Sequence, residues 1–402
     1  MNIYFFIQDI SLTGGTERVT VNLSNLFVSK GHKVTIISFN RGKEKITYQP
    51  VTEVGIVYLS NEPYPIDSGY IARLRSFYHS IKALKHFFRS QINKNEENVF
   101  ISQNFFANTL LWLAGESKDV LGCEHFKYDL HPKPVRALRC FVYSFFKKII
   151  VLTDKDQTKF CKHLSQNKVV TIPNMAIAKE DFKLDLTSKT IIAVGRLHPQ
   201  KGFDMLISAA KDVFDKYPDW HLNIFGEGEL KDALQSQIQT LGLQRNIFLK
   251  GYTDNINGEF AKSAFFVLSS RYEGFPMVLV EAMSLGMPSV AFDCPEGPAQ
   301  LLAEGGGILV EKENISKLSE AMVYMIEHPD FRQKCSKHRE FIKEHLSPKV
   351  IYEKWRYVFE SKSLNPQLHS RSATYKRNGL LIRKTAIKSS RPFQCAYYPL
   401  TP

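Results

Sequence analysis

Ser269-Ser270-Arg271-Tyr272-Glu273-Gly274-Phe275-Pro276-Met277-Val278-Leu279-Val280-Glu281-Ala282-Met283 continues the apolar run Phe265–Ser269. That run has the length and composition of a buried strand, and the residues after it predict a turn into a helix. Gly274 frees the backbone at the end of the loop, and Pro276 fits the first helical turn, where an N–H would go unused. Glu281 lies about a turn and a half further along that helix. Its neighbours Val278, Leu279, Val280, Ala282 and Met283 are apolar. A carboxylate in such surroundings is costly unless it is paired or bonds a polar ligand, so Glu273 and Glu281 stand out as two acceptor carboxylates at a strand-to-helix junction.

The same unit recurs outward from this segment. Ile191–Val194, His221–Phe225, Ile247–Lys250 and Ser289–Phe292 read as strands, with helices near 203–216, 229–241, 276–285 and 314–328. The first half runs a separate cycle through Ile3–Ile7, Val34–Phe39, Val99–Ser102, Val120–Cys123, Ile149–Thr153 and Val169–Ile172, with amphipathic stretches such as Arg18–Ser29 and Asn104–Leu113 between some of them. Alternation of this kind predicts the α/β class: two Rossmann-like, doubly wound parallel-sheet domains. The 402 residues suffice for both. The seam falls near Ile172-Pro173-Asn174, and the polar stretch 179–189 reads as linker. Two such domains facing each other create a central cleft at the carboxyl ends of their strands, where open α/β sheets bind ligands.

The chemistry should therefore sit in loops that follow strands. Ser11-Leu12-Thr13-Gly14-Gly15-Thr16-Glu17-Arg18 is the first. Adjacent Gly14 and Gly15 at a helix start let amides approach a phosphate or sugar oxygen, although a Gly-Gly turn is more often only a turn. Gly195-Arg196-Leu197-His198-Pro199-Gln200-Lys201-Gly202 opens the next helix. Its two cations suit a diphosphate, whereas an isolated basic loop is usually just solvated. Phe225-Gly226-Glu227-Gly228-Glu229 either admits a nucleotide or is a helix-start turn whose acids suit the dipole. His125, at the end of Gly122-Cys123-Glu124-His125, falls on the facing wall of the cleft, where a lone histidine is more often structural than catalytic.

Charge is uneven along the chain. Lys and Arg exceed Asp and Glu by 53 to 40, a net +13. Residues 1–175 carry +9, residues 176–360 carry −4, and residues 361–402 carry +8 with no acid, a tail that reads as poorly ordered. In the first domain the positive charge concentrates in 71–94 and 133–148, both amphipathic. Each is either an ordinary surface helix with a solvated basic face or a face for an anionic membrane, where every Lys or Arg adds about 1 kcal/mol of attraction. Six cysteines without CxxC spacing argue for a reduced protein and against a disulfide scaffold or zinc module. No apolar run approaches the ~18 residues of a membrane span, and the amino-terminal MNIYFFIQDI does not read as a secretory signal.

Taken together, the GGTERV loop, the GRLHPQKG loop, the GEGEL turn, the Glu273/Glu281 pair and a closing pair of helices near 330–359 resemble the retaining glycosyltransferases of family 4, which have the GT-B fold. The resemblance covers residues 1 to about 360. It implies an acceptor-binding domain over 1–175 completed by a returning helix over 347–360 that contains Trp355, and a donor domain over 185–346. It implies that Glu281 holds the donor ribose, that Glu273 contacts the hydroxyls of the transferred sugar, and that Arg196 and Lys201 bind the diphosphate. Gly14 and Gly15 would close over the phosphates or sugar, His125 would lie near the reaction centre, and Gly195, Gly226, Tyr252, Gly274, Phe275 and Pro276 would line the donor site. The stretch Phe292-Asp293-Cys294-Pro295-Glu296-Gly297-Pro298 is similar to bacterial surface-polysaccharide enzymes of the family, which mostly use UDP-sugars. One departure is the short loop Glu304-Gly305-Gly306-Gly307 before the GxLV strand.

The resulting expectation is metal-independent transfer, with no cofactor, from a nucleotide sugar to a lipid-linked saccharide, lipopolysaccharide or capsule acceptor, by a cytoplasmic protein peripheral to the anionic inner membrane. A nucleotide-sugar sensor without catalysis, or a polybasic membrane-binding protein, is the competing class. A two-carboxylate hydrolase would not need the Arg/Lys loop. The absence of GxGxxG after Ile7 disfavours a dehydrogenase, and no module or contiguous basic stripe points to nucleic acid.

Overall fold

The computed structural model describes residues 1–65, 68–177, 182–295, 297–303 and 305–360. The first domain runs β1 (Asn2–Ile7), α1 (Gly15–Ser29), β2 (Lys33–Ser38), β3 (Gly55–Tyr58), α2 (Tyr70–Ser90), β4 (Asn98–Ser102), α3 (Phe105–Ala114), β5 (Val120–Cys123), α4 (Lys133–Tyr143), β6 (Lys148–Val151), α5 (Asp154–Phe160) and β7 (Val169–Thr171). The second runs β8 (Thr190–Val194), α6 (Phe203–Lys216), β9 (His221–Phe225), α7 (Lys231–Thr240), β10 (Ile247–Gly251), α8 (Ile256–Ala261), β11 (Phe265–Leu268), α9 (Met277–Ser284), β12 (Ser289–Phe292), α10 (Pro298–Leu302), β13 (Gly307–Val310), α11 (Ile315–Glu327), α12 (Pro329–Ser336) and α13 (Arg339–Leu346), and α14 (Pro348–Glu360) ends the described chain.

Both sheets are parallel, ordered β3-β2-β1-β4-β5-β6-β7 and β10-β9-β8-β11-β12-β13. The strand order therefore reverses between β1 and β4, where Ile3 pairs Val99, and between β8 and β11, where Ile191 pairs Phe265. Loops leaving strands at such a switch point splay apart and leave a crevice. That is where Gly14, the 195–202 loop and the 269–276 loop emerge.

Covering a sheet on both faces requires apolar residues at successive positions, since side chains alternate across a strand. Phe5 stacks on Phe27 of α1 at 5.9 Å, while its neighbour Phe6 stacks on Phe88 of α2 at 5.6 Å on the other face. In the second sheet Phe266 meets Phe260 of α8 on one side, and Phe265 meets Trp220 on the other. Helix α14 lies on the first domain, with Trp355 at 5.9 Å and Phe359 at 5.5 Å from Phe27, and Tyr352 Oη at 2.9 Å from His32 Nε2. Beside it, the Ala176 N–H donates to Leu346 O at 2.8 Å, tying the chain that leaves the first domain to the chain about to return.

Several elements differ from the sequence reading. The short, half-exposed edge strand β3 is absent from the sequence reading, although Ile56-Val57-Tyr58-Leu59 is a short apolar run. The basic helix over 71–94 ends at Ser90, and the 133–148 pattern breaks at Tyr143 because Lys148 already pairs with Leu121 in the sheet. The closing helices number three (α12 to α14) and not two. On α2, Ile71 and Leu74, which the helical period marks as apolar-face residues, are 69% and 50% exposed. No helix among the described residues is long and apolar enough to cross a membrane. The tail expected over 361–402 and the linker residues 179–181 lie outside the described residues.

Candidate active site

The loops after β8 and β11 are laced together before any ligand enters. Ser269 Oγ donates to Lys201 O at 2.9 Å, Arg271 N to Gln200 O at 2.8 Å and Gln200 Nε2 to Tyr272 O at 3.0 Å. Arg271 forks onto both oxygens of Asp204 at 2.8 and 2.6 Å, and this hydrogen bonding holds the Asp204 carboxyl below its ordinary value. Gly202 makes the close approach possible. Its φ is +63°, and a Cβ there would lie 2.1 Å from Ser269 O.

This scaffold fixes the Lys201 ammonium 2.7 Å from Glu273 Oε1, which also accepts from Ser270 Oγ at 2.6 Å. Glu273 is 6% exposed, so the lysine and the serine supply the partners that a buried carboxylate requires. Arg196 is exposed and has no ion pair or side-chain hydrogen bond among the described residues. Lys201 therefore turns inward to the carboxylate, while the guanidinium at the other end of the same loop faces solvent. Gly195 and Gly226 sit on the neighbouring strand ends, joined to the sheet by Gly195 N to Phe225 O (2.9 Å) and Gly226 N to Gly251 O (2.8 Å). Tyr252, just past β10, is 63% exposed, and Phe275 is buried. Pro276 caps α9, its carbonyl accepting from Leu279 N at 2.9 Å and Val280 N at 3.1 Å.

The facing wall comes from the first domain. Gly274 packs so closely against it that a Cβ would lie 2.2 Å from His125 O, and the Lys127 ammonium rests 5.3 Å from the centre of the Tyr272 ring. His125 Nε2 donates to Gln103 Oε1 at 2.7 Å, and burial pushes the imidazole down to about 4, leaving it neutral near pH 7. Behind it Glu124 and Arg139 form an ion pair at 2.7 Å with both side chains sealed from solvent; burial raises the Glu124 carboxyl to about 7 against the pull of Arg139. Gly14 precedes α1 and Gly15 begins it, and in the same turn Arg18 Nη1 reaches Glu281 Oε1 at 2.7 Å, bridging the two domains.

The structure thus brings Glu281 to Arg18, just behind Gly14 and Gly15, and Gly274 to His125, with Lys201 on Glu273 in the adjoining loops; Arg196 and Tyr252 are exposed, and among the described residues neither side chain is bonded to the others. Sequence reasoning passed over Arg18, Ser270, Gln103 and the Arg271–Asp204 fork. Arg18 stood inside the quoted GGTER loop, and its charge next to a Gly-Gly turn was the available signal.

Comparison with known proteins agrees with this architecture. The family described as "Glycosyltransferase Family 4" matches residues 13–176, and "Glycosyl transferases group 1" matches residues 174–340. The chain carries a family 4 glycosyltransferase domain followed by a group 1 glycosyl transferase domain. It is 27% identical to an uncharacterized glycosyltransferase of Haemophilus influenzae over 89% of this chain and 99% of that one. It is also 27% identical to the amylovoran biosynthesis glycosyltransferase AmsD of Erwinia amylovora, over 88% and 98%. A 26% identical relative, covering 83% and 91%, is a Campylobacter jejuni α-1,4-N-acetyl-D-galactosaminyltransferase named for a saccharide on undecaprenol diphosphate. Among solved structures, S. aureus TarM in complex with UDP superposes with a TM-score of 0.76 at 18% identity, over 90% of this chain and all of the other. The two parallel-sheet domains are those of the GT-B fold, and the protein is a glycosyltransferase.

Proposed function

We propose that this glycosyltransferase moves a hexose or N-acetylhexosamine, with retention of anomeric configuration and without a metal ion, from a UDP-sugar to a lipid-linked saccharide, lipopolysaccharide or capsule acceptor. The single observation that carries the reading is the Lys201–Glu273 pair, braced at 2.7 Å on the switch-point loops of the second sheet, with the adjacent Gly274 packed against the His125 carbonyl of the other domain. In this reading residues 185–346 bind the donor, and residues 1–175 with 347–360 bind the acceptor. Glu281 accepts from the ribose hydroxyls and Glu273 from the transferred sugar. Gly14, Gly15, Gly195, Gly226, Tyr252, Gly274, Phe275 and Pro276 line the donor.

Negative charge grows on the leaving diphosphate as the anomeric bond breaks. Arg196, Lys201 and the first amides of α9 are the groups that stabilise it, the amides being fixed in place at the helix start. The acceptor hydroxyl attacks the anomeric carbon from the face the diphosphate leaves, and its proton passes to the departing phosphate oxygen. A neutral His125 adds no competing positive charge and offers a polar edge to the sugar. Closure of the domains excludes water that would otherwise hydrolyse the donor.

The exposed side of the first domain supports a place at an anionic, cytoplasmic membrane face. Arg73, Arg75, Lys82 and Lys85 lie on the exposed side of α2, and Phe141 and Phe145, 54% and 46% exposed, project on or just beyond α4. Exposed aromatic rings and basic side chains on the same domain are suited to the headgroup boundary. The names of the AmsD and C. jejuni relatives support the acceptor class, and UDP in the TarM complex supports the base.

The test is a panel of UDP- and GDP-sugars followed by donor hydrolysis and thermal stabilisation. UDP-sugars are expected to raise the melting midpoint and to turn over, and Glu273→Ala to abolish turnover. A protein stabilised by no nucleotide sugar would refute the reading, and one that binds UDP without ever turning over a donor would be a sensor.

A further inference from the structure

The residue that reaches Glu281 belongs to the opposite domain. Arg18 lies in the first turn of α1, directly behind Gly14 and Gly15, and its Nη1 is 2.7 Å from Glu281 Oε1 across the cleft. Glu281 is 7% exposed and sits between Val280 and Ala282, both fully buried. The guanidinium is held on its other side by Tyr48, whose ring centre is 5.9 Å away. The acid next to it in sequence turns elsewhere: a Cβ on Gly14 would lie 2.4 Å from Glu17 Oε2, so Glu17 folds back over its own loop while Arg18 projects across. A planar fork that can rest on a ring and face a carboxylate at once is a property of arginine and not of lysine.

We propose that Arg18 is a positioning residue for the donor: it fixes the Glu281 carboxylate in the orientation that accepts from the ribose hydroxyls, so that the acceptor domain completes the donor site. The inference rests on the reading of Glu281 as the ribose carboxylate. A carboxylate has about four lone-pair sites, so a guanidinium on one oxygen and sugar hydroxyls on the same group are compatible. Hydrogen bonds to an ionised, pre-oriented acceptor are about twice as strong as neutral ones. Because the orienting group stands on the other domain, the donor is gripped fully only when the cleft is closed.

The experiment is a double-mutant cycle with Arg18→Gln, Arg18→Lys, Glu281→Gln and the Arg18→Gln/Glu281→Gln pair, reading UDP affinity by calorimetry, donor KM and kcat, and the thermal midpoint. The expected result is that Arg18→Gln weakens UDP and raises donor KM about tenfold, the scale of one charge-assisted contact, with a smaller change in kcat. Arg18→Lys recovers part of the loss, and in the Glu281→Gln background Arg18→Gln adds less than about twofold, since its partner is already gone. Wild-type UDP affinity in Arg18→Gln would overturn the inference while leaving the donor reading intact. So would an equal loss in both backgrounds, which would mean that Arg18 acts without Glu281, or a loss that only follows a lower midpoint. If the unmodified protein binds none of UDP, GDP and ADP, the functional reading and this inference fail together.

Discussion

Lys201 and Glu273 are partners before any substrate arrives: 2.7 Å separates ammonium and carboxylate, and neither loop could move without breaking the bonds that lace β8 to β11. Lys201→Met would strand the buried Glu273 carboxylate with only the Ser270 hydroxyl. It should cost about 3 kcal/mol in urea denaturation, the range for removing one member of a buried pair, and transfer should fall at least ~100-fold. Glu273→Gln should lose transfer with a smaller stability cost, because an amide does not demand a counter-charge.

Gly274 faces a carbonyl of the other domain. In Gly274→Ala the new methyl would sit 2.2 Å from His125 O, so the domains must stay apart by the difference. A misplacement of about 1 Å is enough for a ~100-fold loss of kcat. The thermal midpoint should hold, since the clash is relieved by opening. Steady-state kinetics beside a melting curve separates the two effects.

His125 and Glu124 should give opposite slopes of stability against pH. The imidazole is lowered from 6.5 to about 4 by burial, so the unfolded chain binds more protons in that interval, and the stability present above 6.5 is lost as pH falls through it. The Glu124 carboxyl is raised from 4.5 to about 7, mainly by burial, so its contribution is complete below 4.5 and is lost as pH rises through 7. Urea midpoints from pH 4 to 8 should show the first slope vanish in His125→Asn and the second in Glu124→Gln. An unchanged slope in either variant would count against that assignment.

Phe141 and Phe145 pack edge-on at 5.3 Å and flank Trp112, yet about half of each is exposed. Replacing both with serine should reduce cosedimentation with phosphatidylglycerol vesicles more than tenfold, from the apolar surface no longer buried in lipid. Folding and turnover of a water-soluble acceptor should remain. Equal vesicle binding by the double variant would place the membrane contact elsewhere.

Trp355→Ala removes a ring that is 2% exposed and touches Phe27 and Phe359. Truncating a buried aromatic of this size costs about 3–5 kcal/mol, measurable as a shift of the denaturation midpoint.

Much of this was legible in the sequence because it depends on local pattern. The run Phe265–Ser269 falls on β11 (Phe265–Leu268), since a strand buried on both faces must be continuously apolar, and His221–Phe225 coincides with β9 through the alternation of a half-covered strand. Glu281 was readable for the related reason that a carboxylate among apolar neighbours needs an explanation. Strand β3 escaped because an edge strand covered on one side has little period over four residues. The Arg18–Glu281 and Gly274–His125 relations escaped because they join residues more than 140 positions apart, and nothing in a local pattern encodes which loops face each other. Exposure of Ile71 and Leu74 was invisible for the same reason: an apolar stripe on a helix does not say how much of its length meets a partner.

The hydrogen bond between Ala176 and Leu346 places two strands of polypeptide side by side where the chain passes between the domains and back. Two adjacent covalent tethers behave as a pin: they permit rotation about the point where they meet and resist sliding or exchange of one half for the other. The far rim of the cleft, carrying Arg18 opposite Glu281 and Gly274 opposite His125, then travels along an arc set by the pin. On such a pin, registry between the groups of the two walls is set at the crossing point and needs no guide at the rim itself.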